Sequence, residues 1–186
     1  MGTFTIEGGH KLKGTLTPQG AKNEALQILA AVLLTAEEVE LHNIPEIRDI
    51  LRMIELLEGL GVKTTKKGKG NWIFKADEID LDYFHSEEFR TKGAAIRGSI
   101  MIIGPLLARF GIGYIPSPGG DKIGRRRLDT HFIGFENLGA EFIYNKDTGF
   151  YKVEGKNLKG AYMLLEEASV TGTANILMAA VMAKGT

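Results

Sequence analysis

Three segments of the sequence combine glycine with side chains that bind anions, and the first is Gln19–Glu24. This segment is predicted to join a strand to a helix, where Gly20 permits a tight turn and free N–H groups attract an anion. Lys22 adds a full positive charge at that point, and Asn23 adds both a donor and an acceptor. The pattern suits a phosphate or a carboxylate. An ordinary capped helix with a solvated lysine is the alternative.

The second segment, residues 168–173, places three hydroxyl groups and a glycine at another predicted helix start. The hydroxyls of Ser169, Thr171 and Thr173 can donate to a phosphate there. A serine or threonine that only caps the helix is the alternative, because such caps are common. This segment and the first occupy matching places in an internal repeat, so the two helix starts are predicted to converge on one ligand.

The third segment, residues 116–128, carries three glycines, four basic residues and one acid in a single connection. Two prolines stiffen its entry and the glycines permit a mobile tip, which is typical of a lid. Its arginines can bind phosphate or carboxylate with two parallel hydrogen bonds. Charge that serves only solubility is the alternative. Arg97 lies among glycine and alanine near a predicted helix start and is placed to reach the same ligand, unless it is an ordinary surface arginine.

The elements that must position these residues repeat along the chain at a spacing of roughly 75 residues, far above that of a short solenoid repeat. Three helix-like segments share an apolar, mostly alanine-rich sequence: Glu24–Thr35, Ala94–Arg109 and Thr173–Lys184. Two further helices, Glu46–Leu60 and Asp129–Leu138, run up to a glycine, the common stop at a helix C-terminus. Chance similarity among apolar helices is the alternative to a true repeat.

Each of those two further helices is followed by two strand-like runs around a polar turn. The runs are Val62–Thr65 with Trp72–Lys75, and Glu141–Tyr144 with Phe150–Val153. The repeating unit is therefore strand, helix, strand, helix, strand, strand (βαβαββ), which predicts an α/β (α+β) fold. The third unit stops after its first helix, so we expect the natural sequence to continue beyond Thr186.

The composition limits the classes of protein to which the chain can belong. Its 186 residues include 23 basic and 23 acidic side chains, so any anion site must be local and a nucleic-acid partner is not expected. The absence of cysteine excludes disulfides and thiolate chemistry. The first residues do not form a signal peptide and no apolar run spans a membrane, which predicts a cytoplasmic protein. The four histidines lack the spacing of metal ligands.

Together these motifs resemble those of the enolpyruvyl transferases, and within them the UDP-N-acetylglucosamine 1-carboxyvinyltransferases, from Phe4 to Thr186. The matching runs are Gly20-Ala21-Lys22-Asn23, Pro118-Gly119-Gly120 with Ile123-Gly124, Arg126 with Asp129, and Ser169-Val170. The sister enzyme of the shikimate pathway has Ser-Lys-Ser where this chain has Ala21-Lys22-Asn23, so the nucleotide-sugar enzymes fit better.

The resemblance implies two domains, each made of three βαβαββ units around a pseudo-threefold axis, with the active site between them. Residues 21–186 would form most of the first, substrate-binding domain, truncated within its third unit. Residues 1–20 would belong to the second domain, whose remainder is absent. The family's catalytic carboxylate base comes from that remainder, so this chain alone is expected to be inactive.

The resemblance also implies a reaction. The enolpyruvyl group of phosphoenolpyruvate passes to the 3-hydroxyl of UDP-N-acetylglucosamine and phosphate is released, without a metal or cofactor. This is the first committed step of peptidoglycan synthesis, on which cell-wall formation, cell shape and cell division depend. The expected partners are the two substrates and the rest of the polypeptide, with no nucleic acid or membrane. The alternatives are a nucleotide-sugar-binding module without catalysis, another transferase of this fold, and an RNA terminal-phosphate cyclase.

Substrate-binding roles follow from the resemblance residue by residue. Lys22 and Asn23 would contact phosphoenolpyruvate and the sugar, and Arg97 the nucleotide sugar. The uridine side would be lined by Arg126, Arg127, Leu128, Asp129 and Thr130, and the diphosphate would meet Ser169 and Val170. Glu167 replaces a lysine that many members have, which weakens the diphosphate contact on that side.

Lys22, Arg126 and Asp121 are the implied catalytic residues. Arg126 would bind the phosphate of phosphoenolpyruvate. Asp121 stands where most members have a cysteine that donates a proton to the methylene carbon of phosphoenolpyruvate. A carboxylic acid can fill that role once bound substrate and lid closure favour its protonated form. Because fosfomycin alkylates the cysteine, the aspartate also implies resistance to fosfomycin.

Overall fold

The computed structural model describes residues 3–119 and 127–186, so Asp121 and Arg126 lie outside the described residues. The helices and strands, in chain order, are α1 (Lys22–Ala31), β1 (Glu38–Leu41), α2 (Arg48–Gly59), β2 (Lys63–Gly68), β3 (Asn71–Lys75), α3 (Glu87–Ala95), α4 (Ile103–Phe110), β4 (Ile112–Pro116), α5 (Asp129–Asn137), β5 (Glu141–Asn145), β6 (Phe150–Glu154) and α6 (Val170–Ala180). Short 3₁₀ turns cover Val32–Leu34, Asp82–His85 and Arg97–Ile102.

The order and pairing of these elements confirm the predicted repeat. One sheet has the strand order β1-β3-β2 and the other has the matching order β4-β6-β5. All neighbouring strands in both sheets are antiparallel. A helix, α2 or α5, follows the first strand of each sheet, and α6 packs against both α1 and α4. The three apolar helices α1, α4 and α6 are therefore the equivalent members of the pseudo-threefold fold.

Glycine ends α2 and α5 in the same way, as predicted. Gly61 has a φ of 95° and Gly139 a φ of 91°, in the left-handed region that side-chain-bearing residues avoid. In both helices the amide after the glycine bonds to the carbonyl five residues back, at 3.0 Å. The chain thereby satisfies the last helical carbonyls and turns directly into the next strand.

The predicted helix Ala94–Arg109 is divided in the structure. Ile96 has extended backbone, with φ −135° and ψ 141°, so α3 ends there and a 3₁₀ turn leads into α4. Pro105 lies in the first turn of α4, where a missing N–H costs little. The break places Arg97 at the start of the turn. Among the described helices, none alone is long and apolar enough to cross a membrane; only α3 taken with Arg97–Phe110, bent by 112°, meets that test.

The opening strand of the repeat forms only one bridge within the described ranges, between Lys159 and Lys184 in parallel. Residues 3–20 form neither helix nor strand. Their large apolar side chains, Phe4, Ile6, Leu12 and Leu16, are each at least 88% exposed. The assignment of residues 1–20 to a second domain stays a prediction.

Arg109 joins the two units through the backbone. From α4, its Nη1 donates to the carbonyls of Leu33 (3.2 Å), Thr35 (3.0 Å) and Ala76 (2.6 Å), all in the first unit. A single hydrophobic core continues across the same boundary and includes residues from both sheets and from α1, α4 and α6. The two units are thus packed as one body.

The two helix-ending glycines offer a matched test of this geometry. A Cβ at Gly61 would lie 2.4 Å from the carbonyl oxygen of Glu78, whereas nothing lies within 4 Å of a Cβ at Gly139. We expect Gly139→Ala to lower the free energy of unfolding by about 1–2 kcal/mol, the cost of the left-handed backbone alone. Gly61→Ala should cost clearly more, because strain and a backbone clash add. Denaturant unfolding of both variants measures the difference, and equal losses would contradict it.

Candidate active site

The starts of α1 and α6 and the break after α3 meet at one cleft of about 940 Å³. It is lined by eight of the residues singled out in the sequence: Lys22, Asn23, Arg97, Arg127, Leu128, Ser169, Val170 and Thr171. The two helix starts therefore lie at one cleft, and their binding of a single ligand stays a prediction. A second hollow of about 250 Å³, beside Arg109 and Lys156, contains none of them.

The start of α1 presents backbone donors together with a charge. The N-cap residue is Ala21, whose side chain cannot accept a hydrogen bond. No described side chain at this N-cap therefore bonds to the first N–H groups of the helix. Lys22 Nζ lies 2.9 Å from a carboxylate oxygen of Asp49, in the first turn of α2. The two side chains are 47% and 41% exposed, and such a pair in water is weak. An anion can therefore take the place of Asp49.

Ser169 at the start of α6 has a structural role as well as a place in the cleft. Its hydroxyl oxygen accepts from the N–H of Gly172 at 3.1 Å, so it is the helix cap that was the alternative to a binding role. The adjacent Val170 is exposed at the rim. The hydrogen of the Ser169 hydroxyl is not used by this cap, so capping and ligand binding are compatible.

The segment before α5 is held by ion pairs on one side and by Arg97 on the other. Arg97 Nη2 donates to the carbonyl of Arg127 at 3.2 Å, and Arg127 Nε lies 2.7 Å from the carboxylate of Asp129. Thr130 is buried and donates to Glu167 at 3.1 Å. Arg127 thus lines the cleft, whereas Asp129 and Thr130 brace the segment without lining it.

Four charged or titratable residues of the cleft were missed from the sequence: Arg48, Asp49, Arg52 and His131. Arg48 and Arg52 are four residues apart on α2 and so lie on the same face of the helix. This spacing could have indicated an anion-binding face, but only the apolar stripe of the helix was used in the sequence analysis. Arg52 Nη1 also donates to the carbonyl of Ala95, the last residue of α3, at 3.2 Å. Among the described residues, the cleft is then lined by five cations and two carboxylates, Asp49 and Glu167. Its field favours an anionic ligand.

His131 is the buried ionisable group of the cleft wall. It is 2% exposed, and burial, with a smaller contribution from the charge of Arg97, lowers its pKa to about 4. Its Nδ1 lies 3.0 Å from the side-chain nitrogen of Asn175, and its Nε2 lies 3.5 Å from the hydroxyl of Thr171. The imidazole is neutral at physiological pH and adds no charge to the cleft.

Comparison with known proteins gives the family. A sequence profile of the family described as EPSP synthase (3-phosphoshikimate 1-carboxyvinyltransferase) matches residues 6–186. The chain belongs to this family of enolpyruvyl transferases.

Within the family, the chain is similar over its whole length to UDP-N-acetylglucosamine 1-carboxyvinyltransferases. The UDP-N-acetylglucosamine 1-carboxyvinyltransferase of Bacteroides thetaiotaomicron is 58% identical over the whole chain, and that of Porphyromonas gingivalis is 54% identical. The chain spans 43% of the length of each of these relatives. Both relatives are named for the nucleotide-sugar activity.

Solved structures of enolpyruvyl transferases share the fold. The enolpyruvyl transferase NikO from Streptomyces tendae matches with a TM-score of 0.72 and 16% identity, over 96% of this chain and 41% of that one. EPSP synthase from Acinetobacter baumannii matches with a TM-score of 0.68 and 18% identity, over 92% and 39% of the two chains. At such identities the likeness concerns the fold alone.

The low pKa of His131 predicts a pH dependence of stability in this family member. As the pH falls through about 6.5, His131 becomes protonated in the unfolded chain. In the folded chain it becomes protonated only near pH 4. Stability that is fully present above pH 6.5 should therefore decline by about 3 kcal/mol by pH 4 from this residue alone.

Urea unfolding of the natural chain and of His131→Asn between pH 7.5 and 4 tests this expectation. Asparagine does not titrate, so its profile should fall less steeply, while the contributions of carboxylates remain common to both proteins. Parallel profiles would show that His131 titrates normally.

Proposed function

We propose that this chain supplies the substrate-binding part of a transferase that moves the enolpyruvyl group of phosphoenolpyruvate to the 3-hydroxyl of UDP-N-acetylglucosamine. The observation that carries the proposal is the convergence of two helix starts and five cations on one cleft. Identity of 58% over the whole chain to a relative of that name supports the choice of acceptor. The product would serve peptidoglycan synthesis.

The chemistry assigns different tasks to the two helix starts. The acceptor hydroxyl adds to C2 of phosphoenolpyruvate while C3 takes a proton; C3 then loses a proton as phosphate departs, so the enolpyruvyl group is transferred intact. Lys22 and the first amides of α1 would stabilise the phosphate and carboxylate of phosphoenolpyruvate. The start of α6, with Ser169 and Val170, would hold the diphosphate, and Arg97 and Arg127 would balance its charge.

The protonation of C3 is proposed to depend on Asp121, and the capture of the departing phosphate on Arg126. Both residues lie outside the described residues, so these roles rest on the motif 121–129. The second domain is proposed to supply the base that removes the proton from the acceptor hydroxyl. This chain alone is therefore proposed to bind substrate without turnover.

A phosphate-release assay with alternative acceptors tests the proposed reaction. We expect the full-length polypeptide to release phosphate from phosphoenolpyruvate with UDP-N-acetylglucosamine and not with shikimate 3-phosphate, and the 186-residue chain to release none. Lys22→Ala should lower kcat/KM by about 100-fold or more, since one donor to a developing charge is lost.

Lys146→Ala, in the turn between β5 and β6, is the matched control and should leave the rate unchanged. Turnover with shikimate 3-phosphate would favour the related transferase activity instead. Binding without turnover in the full-length polypeptide would favour a nucleotide-sugar-binding module.

The aspartate at position 121 gives a second, independent test. Fosfomycin alkylation needs a strong nucleophile, and a carboxylate is far weaker than a thiolate. We expect the unsubstituted enzyme to form no adduct and Asp121→Cys to remain active and become alkylated. Asp121→Asn should lose turnover and keep nucleotide-sugar binding.

Intact mass after incubation with fosfomycin, together with the three rates, measures these outcomes. Asp147→Cys, an exposed aspartate in the turn before β6, controls for the reactivity of any surface thiol. An adduct on the unsubstituted protein, or full activity in Asp121→Asn, would remove Asp121 from the mechanism.

A further inference from the structure

A buried chain of hydrogen bonds runs from α4 to the cleft, and its first link fixes a side-chain orientation. The backbone N–H of Gly104 donates to Oδ1 of Asn175 at 2.8 Å. Because an N–H can only donate, the oxygen of the amide must face Gly104 and the nitrogen must face the opposite way. Asn175 is fully buried, so no solvent competes for this arrangement.

The second link fixes the tautomer of His131. The Asn175 nitrogen donates to the carbonyl of Ile100 at 2.9 Å and faces Nδ1 of His131 at 3.0 Å. An amide nitrogen has hydrogens and no acceptor capacity, so Nδ1 must be the acceptor. In the neutral imidazole the single proton then lies on Nε2.

The third link reaches the surface of the cleft. Nε2 of His131 faces the hydroxyl oxygen of Thr171 at 3.5 Å, the outer limit of a hydrogen bond, and Thr171 is exposed in the cleft. An imidazole N–H that donates to this oxygen leaves the hydroxyl hydrogen of Thr171 to donate elsewhere. Thr173, by contrast, uses its hydroxyl hydrogen on the carbonyl of Ser169 at 2.8 Å. The two threonines of the α6 start therefore differ in what they can offer a ligand.

We propose that Thr171 is a substrate-binding residue whose hydroxyl donates to a diphosphate oxygen, and that His131 is the positioning residue that directs this hydrogen into the cleft. The inference rests on the proposed function and adds to it a contact beyond Ser169 and Val170. A neutral donor here is suited to the site, because Glu167 lies on the same wall and the helix start already carries positive potential.

Calorimetric binding of UDP-N-acetylglucosamine, UDP and uridine to the full-length polypeptide tests the contact. Thr171→Val keeps the shape and removes the hydroxyl, so it should weaken binding of both diphosphates about tenfold or more and leave uridine binding unchanged. Thr171→Ser should restore most of the affinity. Thr173→Val, the same change two residues further along α6, should have no effect on diphosphate binding.

The chain of hydrogen bonds from Gly104 to Thr171, called the relay below, predicts one tautomer of His131 that NMR can detect. Nitrogen-15 NMR of histidine-labelled protein should show His131 protonated at Nε2 and unprotonated at Nδ1, both with and without UDP. Protonation at Nδ1 would overturn the relay, and unchanged diphosphate binding by Thr171→Val would overturn the contact while leaving the proposed function intact. If the unsubstituted protein binds no UDP-N-acetylglucosamine, the proposed function fails and this inference fails with it.

Discussion

The side-chain amide of Asn175 holds together the three elements that shape the cleft. It bonds to the turn after α3 through Ile100, to the start of α4 through Gly104 and to α5 through His131. Close approach makes this possible, because a Cβ at Gly104 would lie 2.3 Å from the Asn175 carbonyl oxygen. Loss of the amide would leave several buried groups without partners, each costing about 1–3 kcal/mol. Asn175 therefore couples α6 to the turn that begins at Arg97.

The cleft combines fixed donors with exchangeable charges. Backbone amides at the helix starts are held by the packing of α1, α4 and α6, so they need no rearrangement to meet an anion. The pair between Lys22 and Asp49 is exposed on both sides and contributes only about 0–1 kcal/mol. A ligand can therefore replace Asp49 at little cost, while the bond from Arg97 to the backbone keeps the opposite wall in place. Selectivity for anions and ease of exchange arise from different parts of the same site.

Local signals in the sequence predict most of the fold and part of the cleft. Periodicity and terminal glycines are sufficient for α2, α5 and the strands that follow them, and the repeat relates Lys22 to Ser169. The break at Ile96 was not predicted, although Arg97, Gly98 and Ser99 interrupt the apolar sequence directly after it. His131 escapes reasoning from local signals because its role comes from Asn175, 44 residues away. A polar residue inside an apolar helix is the one sequence signal for such a contact, since buried amides need partners.

The bonds from Arg109 to the first unit have a consequence for synthesis on the ribosome. Arg109 is added 76 residues after Leu33 and 33 residues after Ala76, whose carbonyls it caps. Until it leaves the exit tunnel, these bonds cannot form. The nascent first unit therefore reaches its final packing only when the second has emerged. The bonds of one guanidinium group thus make the final packing of the first unit wait for the synthesis of the second.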